Sequence, residues 1–306
     1  LPFMPPQVDE EIAEKFRQNR KILSISGVQV KQSMLLDKNH LRITNEGEQG
    51  EYILKPIPHR ETIGNIDQLP ANEHLTMQIA RQVYAIDTAE NGLVFFKNGE
   101  PAYLTKRFDL NDDGTKTPQE DFASLLKRTR DTHGKLFKNE GSYELMAQSM
   151  KTYIPAYPVE IEKFFRLVLF NYLFCNGDAH LKNFSVRRSK DGDYLLSPAY
   201  DLINTKIHIK DDISMALTDG LFEGDYETES FKANDFFAYD DFFEFSQRIG
   251  ILENRAKRIL DQFRTSHDLV LNLIQRSFLS GDAKVLFTNC YTDRLNALNY
   301  SFTGII

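Results

Sequence analysis

An aspartate and an asparagine five positions apart, Asp178 and Asn183, sit in the middle of the chain within Asn176-Gly177-Asp178-Ala179-His180-Leu181-Lys182-Asn183. A strongly apolar segment, Phe164 to Cys175, precedes them. A short apolar stretch, a Lys190-Asp191-Gly192-Asp193 turn, a second apolar stretch and Tyr200-Asp201 follow. One acid to orient a hydroxyl, with an asparagine and a second acid to hold a metal, is the layout of a phosphoryl-transfer centre. A hairpin between Asn183 and Asp201 would return the two metal-binding groups to one place. Aspartate and asparagine also meet in ordinary loops, so the ordered set carries the reading and the pair alone does not.

The same chemistry needs a cation for the phosphates. Lys55, on an expected strand just before Pro56, is the candidate, and Glu73 on the following helix is the carboxylate to orient it. The plain alternatives are a solvated lysine at a strand edge and an acid favoured by a helix N-terminus. Ser24-Ile25-Ser26-Gly27-Val28-Gln29 is neither a G-x-G-x-x-G loop nor a Walker A sequence. Its single glycine allows close backbone approach to phosphate, although by sequence alone a plain β-turn accounts for it better. Phosphorylation of Ser24 or Ser26 would repel bound phosphates and drive such a loop out. Paired histidine or Cys/His spacing for zinc is missing, G-x-S-x-G is missing, and Asp109 to Asp113 lack the EF-hand pattern.

The elements that must position these groups follow from local patterning. Val8 to Arg20 reads as a surface helix, Ile22 to Leu36 as β-like flanks around a small-residue turn, and His40–Thr44 and Gly50–Pro56 as strands. Asn72 to Val83 has helical apolar spacing, and Leu93–Lys97 with Ala102–Phe108 forms a hairpin around Asn98-Gly99. Asn111 to Gly114 is the expected boundary, giving a β-rich lobe over 1–110 and a helical lobe over 111–306. In the second lobe Pro118 to Asp121 opens one helix, Ser142 to Glu144 another, and Pro158–Cys175 is a long buried one. Phe184–Val186 and Tyr194–Ser197 form an inserted hairpin. Asp235–Gly250, Glu253–Phe278 and Asp282–Leu298 read as helices. The expected class is α+β with a bilobal, protein-kinase-like fold.

The chain has 306 residues, enough for two lobes with their own cores. Hydrophobic residues at 41% and charged residues at 26% are ordinary for a globular protein. A formal net charge of −7 argues against a broad nucleic-acid-binding surface. Cys175 and Cys290 are far apart and read as buried free thiols in a reducing compartment. No apolar run reaches the ~18–20 residues of a membrane span, and the first residues do not read as a signal peptide. Cytoplasm is the default expectation; the start at Leu1 leaves open whether native residues precede it.

With these residues in view, the sequence resembles the HipA family of bacterial serine/threonine kinases, the toxins of toxin–antitoxin systems. Seven blocks carry the resemblance in order: Ser24 to Lys31, Tyr52 to Pro56, Asn72-Glu73, Lys106 to Asp109, Pro118 to Asp121, Gly177 to Ser185 and Ser197 to Asp201. It runs from about Ser24 to Leu217 and more loosely through the C-terminal helices. The resemblance implies that Asp178 is the catalytic base and that Asn183 and Asp201 bind Mg²⁺. His180, Lys182 and Tyr200 would lie near ATP, Lys55 would contact its phosphates, and Ser26, Gly27, Val28, Gln29, Val30 and Lys31 would cover it. Lys106, Arg107 and Phe108 would form the hinge whose backbone holds adenine. Ser24 matches the family's autophosphorylation position, with Ser26 a second candidate.

The implied substrates are aminoacyl-tRNA synthetases. The implied partners are a HipB-like DNA-binding antitoxin or a small HipS-like antitoxin, with DNA reached only through the antitoxin and no membrane. Full-length HipA proteins carry a further N-terminal subdomain, whereas the short segment before Ser24 resembles the compact HipT kinases. G-D-x-H-x-x-N also resembles the catalytic loop of phosphoinositide-type lipid kinases. A catalytically silent binding module is the non-enzyme alternative, against which intact Lys55, Asp178, Asn183 and Asp201 weigh.

Overall fold

A computed structural model describes residues 29–38, 40–58, 63–111, 113–210 and 212–304. The expected helix Val8 to Arg20 and the positions Ser24, Ser26, Gly27 and Val28 lie outside the described residues.

Five antiparallel strands open the described chain: β1 (Gln32–Asp37), β2 (His40–Ile43), β3 (Tyr52–Pro56), β4 (Asn91–Phe95) and β5 (Pro101–Lys106). They lie in the order β2-β1-β3-β5-β4, which puts β3 in the centre. Turn chemistry sets the outer hairpin, because Gly99 takes the left-handed conformation (φ 87°) that its loop demands. Helix α1 (Leu69–Gln82), begun by Pro70, covers the sheet and buries Leu75, Met77, Ile79 and Ala80. Its buried side faces β4 and β5.

The polar 111–117 loop leads to helices around α3 (Tyr157–Leu173), preceded by α2 (Tyr143–Tyr153). Ser142 caps α2 by accepting from the Leu145 amide at 3.0 Å. Helix α3 buries Phe164, Phe165 and every residue from Leu167 to Leu173, so it is the core rather than a one-sided surface helix. Phe122, Tyr143 and Phe184 ring Phe164 with centroids 5.7–6.4 Å away. Burying one such side chain contributes about 1.5–3 kcal/mol.

Two element assignments need correction. Gln119–Asp121 does not open a helix; it is strand β6, pairing Glu120 with Val186 on β7 (Ser185–Arg188), which in turn pairs with β8 (Tyr194–Leu196). An isolated hairpin leaves its edge amides and carbonyls unpaired, and β6 satisfies them. Asp121 then caps only the short helix Phe122–Leu125. The expected single helix Glu253–Phe278 is divided. After α4 (Tyr239–Arg248), the chain forms α5 (Glu253–Arg264) and α6 (Asp268–Arg276), then α7 (Gly281–Leu298). Thr265 is extended (ψ 130°), and His267 packs edge-on against buried Tyr84 at 5.3 Å, which fixes the break.

Candidate active site

Strand β3 delivers Lys55 from the centre of the sheet into a buried ion cluster. Its ammonium lies 2.5 Å from Glu73 Oε1 on α1 and 2.5 Å from Asp201 Oδ1. Lys55 and Glu73 are each 2% exposed, so neither is the solvated group that the sequence alone allows. The Tyr103 ring lies beneath the ammonium at 5.3 Å. Burial pulls the lysine's proton affinity down, but Asp201 and Glu73 outweigh it and raise the pKa. Burial pushes the Glu73 carboxyl up, with Lys55 opposing. For Asp201 burial is outweighed by Lys55 and Lys31, which hold its carboxyl well below the usual range.

Lys31 reaches the other Asp201 oxygen at 3.1 Å, and Gln29 donates to Glu73 Oε2 at 3.5 Å. Two cations therefore balance two anions. Asp201 itself is left-handed (φ 54°), a conformation that aspartate tolerates better than most residues.

The second half of the site is the loop after α3. Cys175 turns left-handed (φ 53°) and ends the helix. Asn176 hydrogen-bonds back to Asn171 through both its amide and its side chain, each at 2.8 Å, and its Oδ1 accepts from the Asp178 amide at 3.2 Å. The Tyr143 hydroxyl donates to the Ala179 carbonyl at 2.9 Å, and the Leu181 amide donates to the Lys138 carbonyl at 2.9 Å. Asp178 is thus held on a fully pinned loop. Asn183 Nδ2 donates to the Asp178 carbonyl at 2.6 Å, a bond in which Oδ1 takes no part.

His180 is 2% exposed, and neither ring nitrogen has a hydrogen-bond partner among the described residues. Its Nε2 lies 3.6 Å from Asp178 Oδ1. Burial, then Lys138, hold its pKa down at about 3, so this contact is not a charge pair. Asp201 acts on the same ring in the opposite sense, which ties the loop electrically to the lysine cluster.

Tyr200 bridges the lobes. Its hydroxyl donates to the Lys182 carbonyl at 2.9 Å, and its ring lies 5.6 Å from Phe108. Lys182 pairs with Asp121 at 2.5 Å. Tyr200, Lys182 and Asp121, with Asp109 and the 116–119 segment, line a cleft of about 480 Å³, within the size range of small-molecule sites. Arg107 pairs with Asp109 at 2.5 Å, while the Lys106 ammonium lies 3.8 Å from Glu90 on the outside. The Lys106 and Arg107 amides already donate to the Glu90 and Glu51 carbonyls, both at 2.8 Å. Val30 is 50% exposed and joins no part of the cluster.

A cation would fit here as in nucleotide sites, through one carboxylate, one amide oxygen and the phosphates. Asp201 and Asn183 supply the first two. Among the described residues there is no group of three or more His, Cys, Asp or Glu side chains able to hold a metal by themselves. The unpartnered, buried nitrogens of His180 are the feature that a polar ligand would complete. Lys138, Tyr103 and Asp212 also lie against these residues and fall in none of the seven sequence blocks, whereas Asp121 ends one of them.

A curled antiparallel sheet that presents a buried Lys–Glu pair, set on a helical lobe with an Asp-to-Asn loop, is the protein-kinase-like fold. Within it, the chain belongs to the HipA-like C-terminal domain family, whose profile matches residues 23–269. A Haemophilus influenzae protein named "Putative kinase" is 29% identical over 97% of this chain and 88% of its own length. "Putative kinase Y4dM" of Sinorhizobium fredii is 31% identical over 69% of this chain and 52% of its own. Among solved structures, HipA of the Shewanella oneidensis MR-1 toxin–antitoxin system, determined with HipB and its operator DNA, superposes with a TM-score of 0.64 at 19% identity. That match covers 97% of this chain and 72% of the other. The Helicobacter pylori proinflammatory kinase CtkA gives 0.53 at 14% identity, covering 87% and 90%. At these identities the structural likeness shows the fold.

Proposed function

We propose that this chain is a Mg²⁺-dependent serine/threonine protein kinase that transfers the γ-phosphate of ATP to a protein hydroxyl. The observation that carries this reading is Lys55, buried and 2.5 Å from both Glu73 and Asp201. Few structural roles require a lysine between two acids at the junction of a sheet, a helix and a metal-type aspartate, whereas phosphate positioning does. Asp178 accepts the proton of the attacking hydroxyl. The new O–P bond forms as the bond from the γ-phosphorus to the bridging oxygen breaks, and ADP leaves. Lys55 and Lys182 position phosphates, His180 and Tyr200 contact the nucleotide, and Gln29 to Lys31 with Ser26 to Val28 cover it. Lys106, Arg107 and Phe108 form the hinge. Asn183 and Asp201 would hold the Mg²⁺, which would offset charge on the phosphates.

The family and the neighbour solved with HipB and operator DNA support a toxin with a HipB-like antitoxin as partner; a small HipS-like antitoxin and an aminoacyl-tRNA synthetase as substrate are proposed on the sequence resemblance alone. Ser24 and Ser26 are the proposed self-modification sites. The test is incubation with γ-labelled ATP and Mg²⁺ in the presence of cell lysate and, separately, phosphoinositide vesicles. Label on serine or threonine of protein is expected. Label only in lipid overturns the protein-kinase reading, and no label anywhere favours a binding module.

A further inference from the structure

The loop carrying Asp178 rests on a second acid. Thr205, fully buried, accepts the Gly177 amide at 2.8 Å through its hydroxyl and contacts the Cys175 carbonyl at 2.8 Å with the same oxygen. That hydroxyl also hydrogen-bonds Asp212 Oδ2, while Asp212 Oδ1 accepts the Ile213 amide at 3.0 Å. The Asp212 carboxyl fills the space beside Gly177. A Cβ added at residue 177 would lie 2.5, 2.6 and 2.7 Å from Asp212 Oδ2, Oδ1 and Cγ. The residue before Asp178 is therefore glycine because a carboxyl group occupies its side-chain position, and not because of its backbone angles.

We propose that Asp212 is a positioning residue that, through Thr205, fixes the Asn176–Gly177 peptide and so aims the catalytic base that follows it. The proposal rests on the kinase reading for its functional meaning only; the geometry stands without it.

The hydrogens decide which form of Asp212 does this. A hydroxyl has one proton to give and two lone pairs. Gly177 N–H takes one lone pair of Thr205, leaving two oxygen neighbours, Cys175 O and Asp212 Oδ2. With Asp212 ionised both neighbours are acceptors and one goes without the proton. With Asp212 neutral, its O–H donates to Thr205 and Thr205 donates to Cys175, so every group is satisfied. Burial pushes the Asp212 pKa up to about 6 despite the Thr205 and Ile213 bonds. The charged groups acting on it are Asp178, which raises it, and Arg294 on α7, which lowers it. The neutral, loop-holding form thus predominates below about pH 6 and is lost as pH rises through that value.

The test uses the full chain with Asp212→Ala, Asp212→Asn and Thr205→Val. The asparagine amide can donate to Thr205 and its oxygen can accept from Ile213, so it imitates the neutral acid. In hydrogen-exchange mass spectrometry at a pH below about 6, where Asp212 is neutral, Asp212→Ala is expected to speed exchange of the 176–180 peptide at least about tenfold, with Asp212→Asn near wild type. If Asp212→Ala does not fold, Thr205→Val answers the same question. Unchanged exchange in the alanine or valine variant, or exchange in Asp212→Asn as fast as in Asp212→Ala, overturns the proposal. In phosphoryl transfer below pH about 6, kcat of Asp212→Ala is expected to fall by about 10–100-fold at unchanged KM for ATP. The wild-type decline of kcat through pH about 6 is expected to vanish in Asp212→Asn; its persistence there overturns the proposal. A wild-type chain that transfers no phosphate sinks the kinase reading, and the exchange results then judge Asp212 alone.

Discussion

The Lys55 ammonium and the Asp201 carboxylate meet at 2.5 Å across 146 residues of chain. They bring the centre of the sheet onto the loop that follows the β7–β8 hairpin. Removing the lysine leaves Glu73 without its cation and Asp201 with Lys31 alone. Lys55→Met is expected to destabilise the fold by about 3–5 kcal/mol, the usual cost of breaking a buried pair from one side. Adding Glu73→Gln should recover part of that loss, because contacting sites are not additive. Urea unfolding of the two variants measures both.

His208 makes stability pH-dependent at the root of α1. Its Nδ1 faces the Gly64 carbonyl at 3.0 Å and its Nε2 faces Asn72 Nδ2 at 2.8 Å, a pattern that only the neutral ring satisfies. Burial holds its pKa down at about 4, against an ordinary 6.5. The unfolded chain takes a proton below 6.5 that the folded chain refuses. Stability is therefore complete above that pH and drains away as pH falls towards 4. At pH 5 the loss is about 2 kcal/mol. In His208→Gln the difference between urea midpoints at pH 7.5 and pH 5 should shrink accordingly.

Gly177→Ala drives a methyl group into the Asp212 carboxyl. The expected cost is about 1–3 kcal/mol, as for other overpacked sites. Asp212→Ala removes the obstacle, so the double variant should be less destabilised than the sum of the singles. Thermal melts of the three proteins close this double-mutant cycle, and strict additivity would count against the contact.

Much of the fold was legible because its signals are local. Pro70 and the apolar spacing of α1, the Asn98-Gly99 turn and the Phe164–Cys175 apolar run of α3, interrupted only by Arg166 and Asn171, each specify an element from a few neighbouring residues. Gln119–Asp121 was misread because its partner strand lies some 65 residues away, and nothing in Pro118 to Asp121 records that pairing. The break at Thr265 likewise depends on Tyr84, which packs His267 from another part of the chain. In the site, Lys55, Asp178, Asn183 and Asp201 stood out by type and order. Lys138 and Asp212 did not, since each acts through tertiary contact with the loop rather than through spacing along the chain.

The most direct measurement is single-turnover transfer from γ-labelled ATP with Mg²⁺ by the wild-type chain and by Asp178→Gln. Both should be equally folded by circular dichroism. The expected result is label on protein serine or threonine in the wild type and a fall of about 10²–10⁴-fold in the variant, the range for loss of a general base. Equal labelling by the two proteins, or no labelling by the wild type, would contradict the assignment of this loop as the phosphoryl-transfer centre.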